Sequence, residues 1–125
     1  MTGEPALAAQ NRAIGEQWMA AFNAADLDRL LALYADDATH SSPKIRALHP
    51  DTGGRLHGKP ALRAWWADSF TRLPGLRYET VAITADEHRV VVEYIRHVPA
   101  EAVMPIAEVF EVRTGKIVAS QVFHG

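Results

Sequence analysis

Apolar positions in the first half of the chain recur at helical spacing. Leu7, Ile14, Trp18 and Phe22 fall at sevens and fours, which is one face of an amphipathic helix. "NAAD" interrupts the pattern, and Asp26 suits the N-cap of a short second helix carrying Leu27, Leu30, Leu31 and Tyr34. Asp36-Asp37-Ala38 reads as the tail of that helix, after which His40, Ser41 and Ser42 step into extended chain. Residues 43 to 58, "PKIRALHPDTGGRLHG", hold two prolines and three glycines and show no period. They predict a long loop, with Gly53-Gly54 as the hinge of a mobile lid and Ile45 and Leu48 as its apolar contacts. Pro60 opens a third helix with Leu62, Trp65, Trp66 and Phe70 inside, and "LPG" ends it.

The period then changes to two. "RYETVAI", "RVVVEYIRHV", "IAEVFEV" and "KIVASQVFH" are β-branched and aromatic runs with short separations, so neighbours are antiparallel. Helices followed by a strand meander give an α+β fold with helices on one face of a curved sheet. Two registers are open for the last hairpin. A three-residue loop with Gly115 left-handed places Ile106, Glu108, Phe110 and Val112 beside Val118, Ser120, Val122 and His124. A two-residue Thr114-Gly115 turn brings Gln121 and Phe123 beside Glu108 instead. The preceding strand turns inward either Val90, Val92, Tyr94 and Arg96 or Val91, Glu93, Ile95 and His97, and periodicity alone leaves both open.

Composition narrows the partners. The 125 residues suffice for one hydrophobic core, and residues 1–125 are expected to form one domain. A net charge of -2 offers no basic footprint for nucleic acid. Cysteine is absent, which excludes disulfides, thiolate metal sites and cysteine nucleophiles. "MTGEPALAAQ" lacks the basic-then-apolar pattern of a secretory leader, and no run approaches a membrane span, so the expected location is cytoplasmic. The six histidines show no metal-binding spacing, and there is no phosphate loop or nucleophile elbow. The expectation is no metal and no cofactor.

"QWMAAFNAADLDRLLALYADDATHSSP", "GKPALRAWW", "PIAEVF" and "GKIVASQVFHG" together resemble the nuclear transport factor 2-like superfamily, in its SnoaL-like and ketosteroid isomerase-like branches. The resemblance implies a cone: a curved, mostly antiparallel sheet wrapped round three N-terminal helices (the cystatin-like arrangement), a ligand pocket at its open end, and commonly a homodimer. It does not fix function, because isomerases, cyclases, dehydratases and inert members share the fold. Isomerases of this type carry a general-base aspartate directly before the proline that follows "DDAT"; here that position is Ser42. Their oxyanion-hole tyrosine corresponds to Trp18, a donor but not an acid. Their second acid matches Glu108 with one residue of gap and Ala107 without; the gap keeps the apolar alternation in step. The standard steroid proton shuttle is therefore not expected.

The same matching turns Tyr94, Arg96, Ser120 and His124 inward, puts His40 and Ser42 at the entrance, and makes Tyr34, Trp66 and Phe110 pocket walls. Glu108, His40 and Arg96 are the catalytic candidates; Trp18, Tyr34, Ser42, Trp66, Tyr94, Phe110, Ser120 and His124 are the ligand-binding ones. Glu108 has two roles open to it, an ion pair with Arg96 on the adjacent strand or a buried carboxyl of raised pKa that transfers protons. The expected functions are a cofactor-free acid–base enzyme acting on a small, mostly apolar carbonyl or hydroxyl compound, or a binding module without turnover. The outward residues Val91, Ile95, Ala107, Val109 and Ala119 form an apolar strip suited to a homodimer.

Overall fold

The computed structural model describes residues 4–124. Helix α1 (Glu4–Asn23) presents Ile14, Trp18 and Phe22 to the core, whereas Leu7 remains 42% exposed. Gly15 sets how closely α1 approaches the sheet. A Cβ there would meet Val90 Cγ1 at 2.9 Å and Ile83 Cγ2 at 3.0 Å, inside van der Waals contact. Helix α2 (Leu27–Leu31) is capped by Asp26, whose carboxylate accepts from the Arg29 amide at 3.1 Å.

Tyr34 does not continue that helix. It begins strand β1 (Tyr34–Ser41), and Asp36-Asp37 bulges out where the register slips between Tyr34 and Thr39. The bulge lets Tyr34, Ala38 and His40 all face inward while the two aspartates stay in water. The predicted loop 43–58 is also corrected. It contains helix α3 (Pro43–Leu48), a 3₁₀ turn (Pro50–Thr52) and strand β2 (Arg55–His57), which pairs antiparallel with β1. Ser42 Oγ accepts from the amides of Lys44 and Ile45, and Pro43 opens the helix. Ile45 is fully buried and Leu48 is 51% exposed, so the segment's apolar contact is already made by core packing.

Helix α4 (Lys59–Arg72) buries Leu62, Trp65, Trp66 and Ser69. The meander follows as β3 (Arg77–Ala85), β4 (Arg89–His97), β5 (Met104–Arg113) and β6 (Lys116–His124). The six strands form one open sheet in the order β2-β1-β6-β5-β4-β3, antiparallel except for β1 with β6. The helices cover its inner face.

The last hairpin combines both predicted readings. Arg113 pairs with Lys116 across a two-residue turn, with Thr114 at φ 53° and Gly115 at φ 75°. A bulge at Val118 then restores the other register, so Phe110 faces Ser120, Glu108 faces Val122 and Ile106 faces His124. Ile117, rather than Val118, is the buried residue opposite Val112. On β4, Val90, Val92, Tyr94 and Arg96 are the inward set.

Candidate functional site

Between the inner sheet face and helices α1, α3 and α4 lies a cavity of about 270 Å³. Its buried part is lined by Trp18, His40, Trp66, Tyr94, Arg96 and Glu108; Lys44, Arg72, Glu101 and His124 line its more exposed part. Of the expected site residues, Trp18, His40, Ser42, Trp66, Tyr94, Arg96, Glu108 and His124 line this space. Tyr34, Phe110 and Ser120 are buried behind the lining. Ser42 is at the wall, but its hydroxyl oxygen accepts the α3 amides instead of addressing the cavity alone. The sequence reading missed Lys44, Arg72, Tyr78 and Glu101.

Of the two roles open to Glu108, the ion pair with Arg96 does not form. Glu108 stands opposite Val92 and Arg96 opposite Met104, four residues apart along β4 and about 13 Å along the strand. Arg96 Nη1 instead donates to Glu101 Oε1 at 3.0 Å. Glu108 is 2% exposed, and its Oε1 accepts from the Tyr94 hydroxyl at 2.9 Å. Its Oε2 is the one sealed side-chain polar atom without a partner among the described residues.

With no cation against it, Glu108 is governed by burial. Desolvation pushes its pKa up to about 8, and the bond from Tyr94 offsets only part of that. The carboxyl is therefore mostly protonated at neutral pH. Because Tyr94 donates to Oε1, the acid proton belongs on Oε2, the unpartnered oxygen. Tyr34 and Tyr78 stay protonated too, their phenols pushed far up by burial first and the Glu108 carboxyl second.

His40 lies next to this acid, Nδ1 to Oε2 being 3.9 Å. That distance would suit an ion pair if both groups were charged. Burial opposes it: desolvation pulls His40 down to about 4, so the imidazole is neutral where the carboxyl is also neutral. Its tautomer follows from a directed chain of hydrogen bonds. The Trp18 indole can only donate, and does so to the Tyr34 hydroxyl at 3.1 Å. Tyr34 lies 3.3 Å from Ser120 Oγ, and Ser120 Oγ 2.6 Å from His40 Nδ1. Ser120 is the one other side-chain partner of the Tyr34 hydroxyl among the described residues, so the buried Tyr34 proton goes to Ser120 Oγ and the Ser120 proton to His40 Nδ1. His40 Nδ1 thus accepts, and Nε2 carries the ring proton. Trp18 uses its single N–H inside the wall, so it cannot replace an oxyanion-hole tyrosine.

Aromatic rings hold these groups in place. The His40 ring centroid is 5.0 Å from that of Trp66, and Tyr34 is 5.2 Å from Trp66. On the other side Tyr78 stacks on Tyr94 at 4.1 Å and on Phe22 at 4.0 Å. Among the described residues no group of three or more His, Asp or Glu side chains is placed to hold a metal ion. No described helix is long and apolar enough to cross a membrane.

Comparison with known proteins places this geometry in a family. No functionally curated protein matches the chain. A SnoaL-like protein of unknown function from Burkholderia thailandensis is 29% identical, with 94% of this chain and 95% of that one covered and a TM-score of 0.84. TerC, co-crystallised with polyporic acid, is 21% identical over 93% of this chain and 92% of its own, with a TM-score of 0.80. A protein of ketosteroid isomerase-like fold from Catenulispora acidiphila, in complex with trimethylamine, is 20% identical over 88% and 83%, with a TM-score of 0.71. The SnoaL-like domain model matches residues 16–120. The chain belongs to the SnoaL-like family, and its fold is the nuclear transport factor 2-like one.

Proposed function

We propose that the chain is a cofactor-free acid–base enzyme of isomerase, cyclase or dehydratase type, acting on a small, mostly apolar carbonyl or hydroxyl compound. One observation carries this reading: a buried carboxyl among the cavity-lining residues, whose one hydrogen bond among the described residues comes from Tyr94 and whose Oε2 has no partner. Buried polar atoms rarely go without a partner, and such an atom in a cleft is suited to meet a ligand. Glu108 donates its Oε2 proton to the ligand oxygen; the Oε2–H bond breaks as the ligand O–H bond forms. The carboxylate left behind keeps the Tyr94 hydrogen bond and accepts a proton from the ligand carbon or from water to return to its starting state. His40, with its ring proton on Nε2, is a second donor for developing negative charge. The Catenulispora acidiphila protein and TerC, which share the fold, were each crystallised with a small molecule, in keeping with a ligand-sized cavity here.

The test needs no knowledge of the natural substrate. Incubating the protein in D₂O with a panel of cyclic enones and β-hydroxy ketones, and following exchange at the α-carbon by NMR, should reveal Glu108-dependent exchange. Glu108→Gln should abolish it while leaving the fold intact. Exchange that persists in the variant, or is absent from every compound, favours the second reading, a ligand-binding module without turnover. That alternative has its own support: Ser42 caps α3, His40 Nδ1 is held by Ser120, and Glu108 is the one buried carboxyl lining the cavity.

The proposal includes a homodimer through the outer sheet face. Val91, Ile95, Ala107, Val109 and Ala119 are half-buried there, and Val81 and Phe123 are 61% and 48% exposed. A C2 interface would cover them. Light scattering at micromolar concentration should return twice the chain mass; a monomer would refute it.

A further inference from the structure

The exposed end of the cavity carries positive charge that the interior chemistry does not use. Lys44, Arg72 and Glu101 line it, and Glu101 pairs there with Arg96, whose own side chain belongs to the buried part of the lining. Asp68 balances Arg72 from outside the lining at 2.6 Å, whereas Lys44 makes no ion pair among the described residues. Lys44 and Arg96 both act on His124. The pKa of His124 is lowered by burial first and then by Lys44 and Arg96.

Arg96 is the buried anchor of this group. It is 5% exposed, yet among the described residues its guanidinium makes a single hydrogen bond, to a Glu101 that is itself 46% exposed. A guanidinium has five donors in a planar fork, matched to the two oxygens of a carboxylate. A buried cation ordinarily needs fuller pairing than one bond to a solvated partner. Beside it the walls are aromatic, with Trp18, Trp65 and Tyr78 all lining the same space.

Resting on the reading that this cavity binds a small molecule, we propose that its rim takes the carboxylate of a small aromatic acid. The ring lies along the aromatic wall, the carboxylate meets Arg96 and Lys44, and the opposite, uncharged polar end reaches Glu108. At about 270 Å³ the cavity is near the small end of ligand pockets, ~300–1,000 Å³, which limits the ligand to roughly one or two fused rings.

Tryptophan fluorescence provides the readout, since Trp18, Trp65 and Trp66 line the cavity. The probes are 2-naphthoate and its neutral near-isostere 2-naphthamide, titrated at low and high sodium chloride. The expected result is tenfold or greater preference for the carboxylate, eroded by salt and largely lost in Arg96→Met. Should that variant unfold, Lys44→Gln, at a half-buried site, must lower the preference at least threefold. In Glu108→Gln the carboxylate preference should persist, which separates the rim from the acid. Equal binding of the two probes overturns the rim proposal and leaves the pocket reading standing. Binding of neither at millimolar concentration overturns both for ligands of this class.

Discussion

His40 and His124 line the same cavity and behave differently because one is inside it and the other at its edge. His40 is 3% exposed and its pKa falls to about 4 through burial alone. His124 is exposed, and nearby cations add to a smaller burial effect. The carboxyls divide in the same way. Glu108 is sealed and neutralised by desolvation, whereas Glu101 stays half exposed and pairs with Arg96. The sealed Glu108 and His40 therefore handle protons as uncharged groups, whereas charge sits on solvated side chains at the rim and on the buried Arg96 that one of them pairs. The sealed pair should thus affect stability strongly and through pH, and the solvated rim residues weakly and through salt.

The largest effect belongs to the interior wall. Trp18 combines core packing against Phe22 and Phe110, at 5.4 and 5.2 Å, with the hydrogen bond that gives the Tyr34–Ser120–His40 chain its direction. Trp18→Ala should cost about 3–5 kcal/mol. Trp18→Phe keeps much of the packing and removes the donor, so it should cost about 1–2 kcal/mol. Urea melts of both variants measure this. A loss of under about 1 kcal/mol for Trp18→Ala would show that the wall is loosely packed.

Next in size is a pH effect with a definite sign. The folded pKa of Glu108 lies above its ordinary 4.5, at about 8, so folding is favoured at low pH and stability falls as pH rises through that range. His40 is lowered from 6.5 to about 4, so its contribution is present above 6.5 and falls as pH drops toward 4. Between 4.5 and 6.5 the two slopes oppose one another. From 6.5 to about 8 Glu108 acts alone, and its ionisation costs about 2 kcal/mol. Glu108→Gln has nothing to ionise and should lack that decline. Melts at pH 6.5 and 8.5 decide it: parallel declines in both proteins would mean that Glu108 is already charged at neutral pH.

How much of this was readable beforehand follows from how local each determinant is. The four strands of the meander and the inward set Ile106, Glu108, Phe110 and Val112 follow from alternation, a property of each strand by itself. The pairing partner of Glu108 depends on the β4–β5 register, which the six-residue connection 98–103 leaves undetermined; hence a pair with Arg96 stays open from the sequence, and Tyr94 is the partner found. Glu101 sits in that same connection, where no period marks it. The segment after Ser42 is hard to read for another reason. Serine followed by proline is a helix-start signal, but six residues are too few for periodicity, and the later glycines and prolines dominated. Tyr34 stands at helical spacing from Leu30 and Leu31, which points to α2; the bulge at Asp36-Asp37 lets it face inward from a strand instead.

The smallest effect on stability belongs to the rim, and it sharpens the contrast by changing binding instead. Glu101 meets Arg96 through one hydrogen bond at 3.0 Å while staying 46% exposed. A solvated partner of this kind contributes little, so Glu101→Gln should lower stability by no more than about 1 kcal/mol. The amide keeps an acceptor for the guanidinium but no longer competes as a charge. A ligand carboxylate at the same fork then has less to displace, and 2-naphthoate should bind roughly two- to tenfold tighter, the equivalent of about 0.4–1.4 kcal/mol. Neutral 2-naphthamide, which does not need that site, should be unaffected. Weaker naphthoate binding in Glu101→Gln would mean that Glu101 orients Arg96 rather than competing for it.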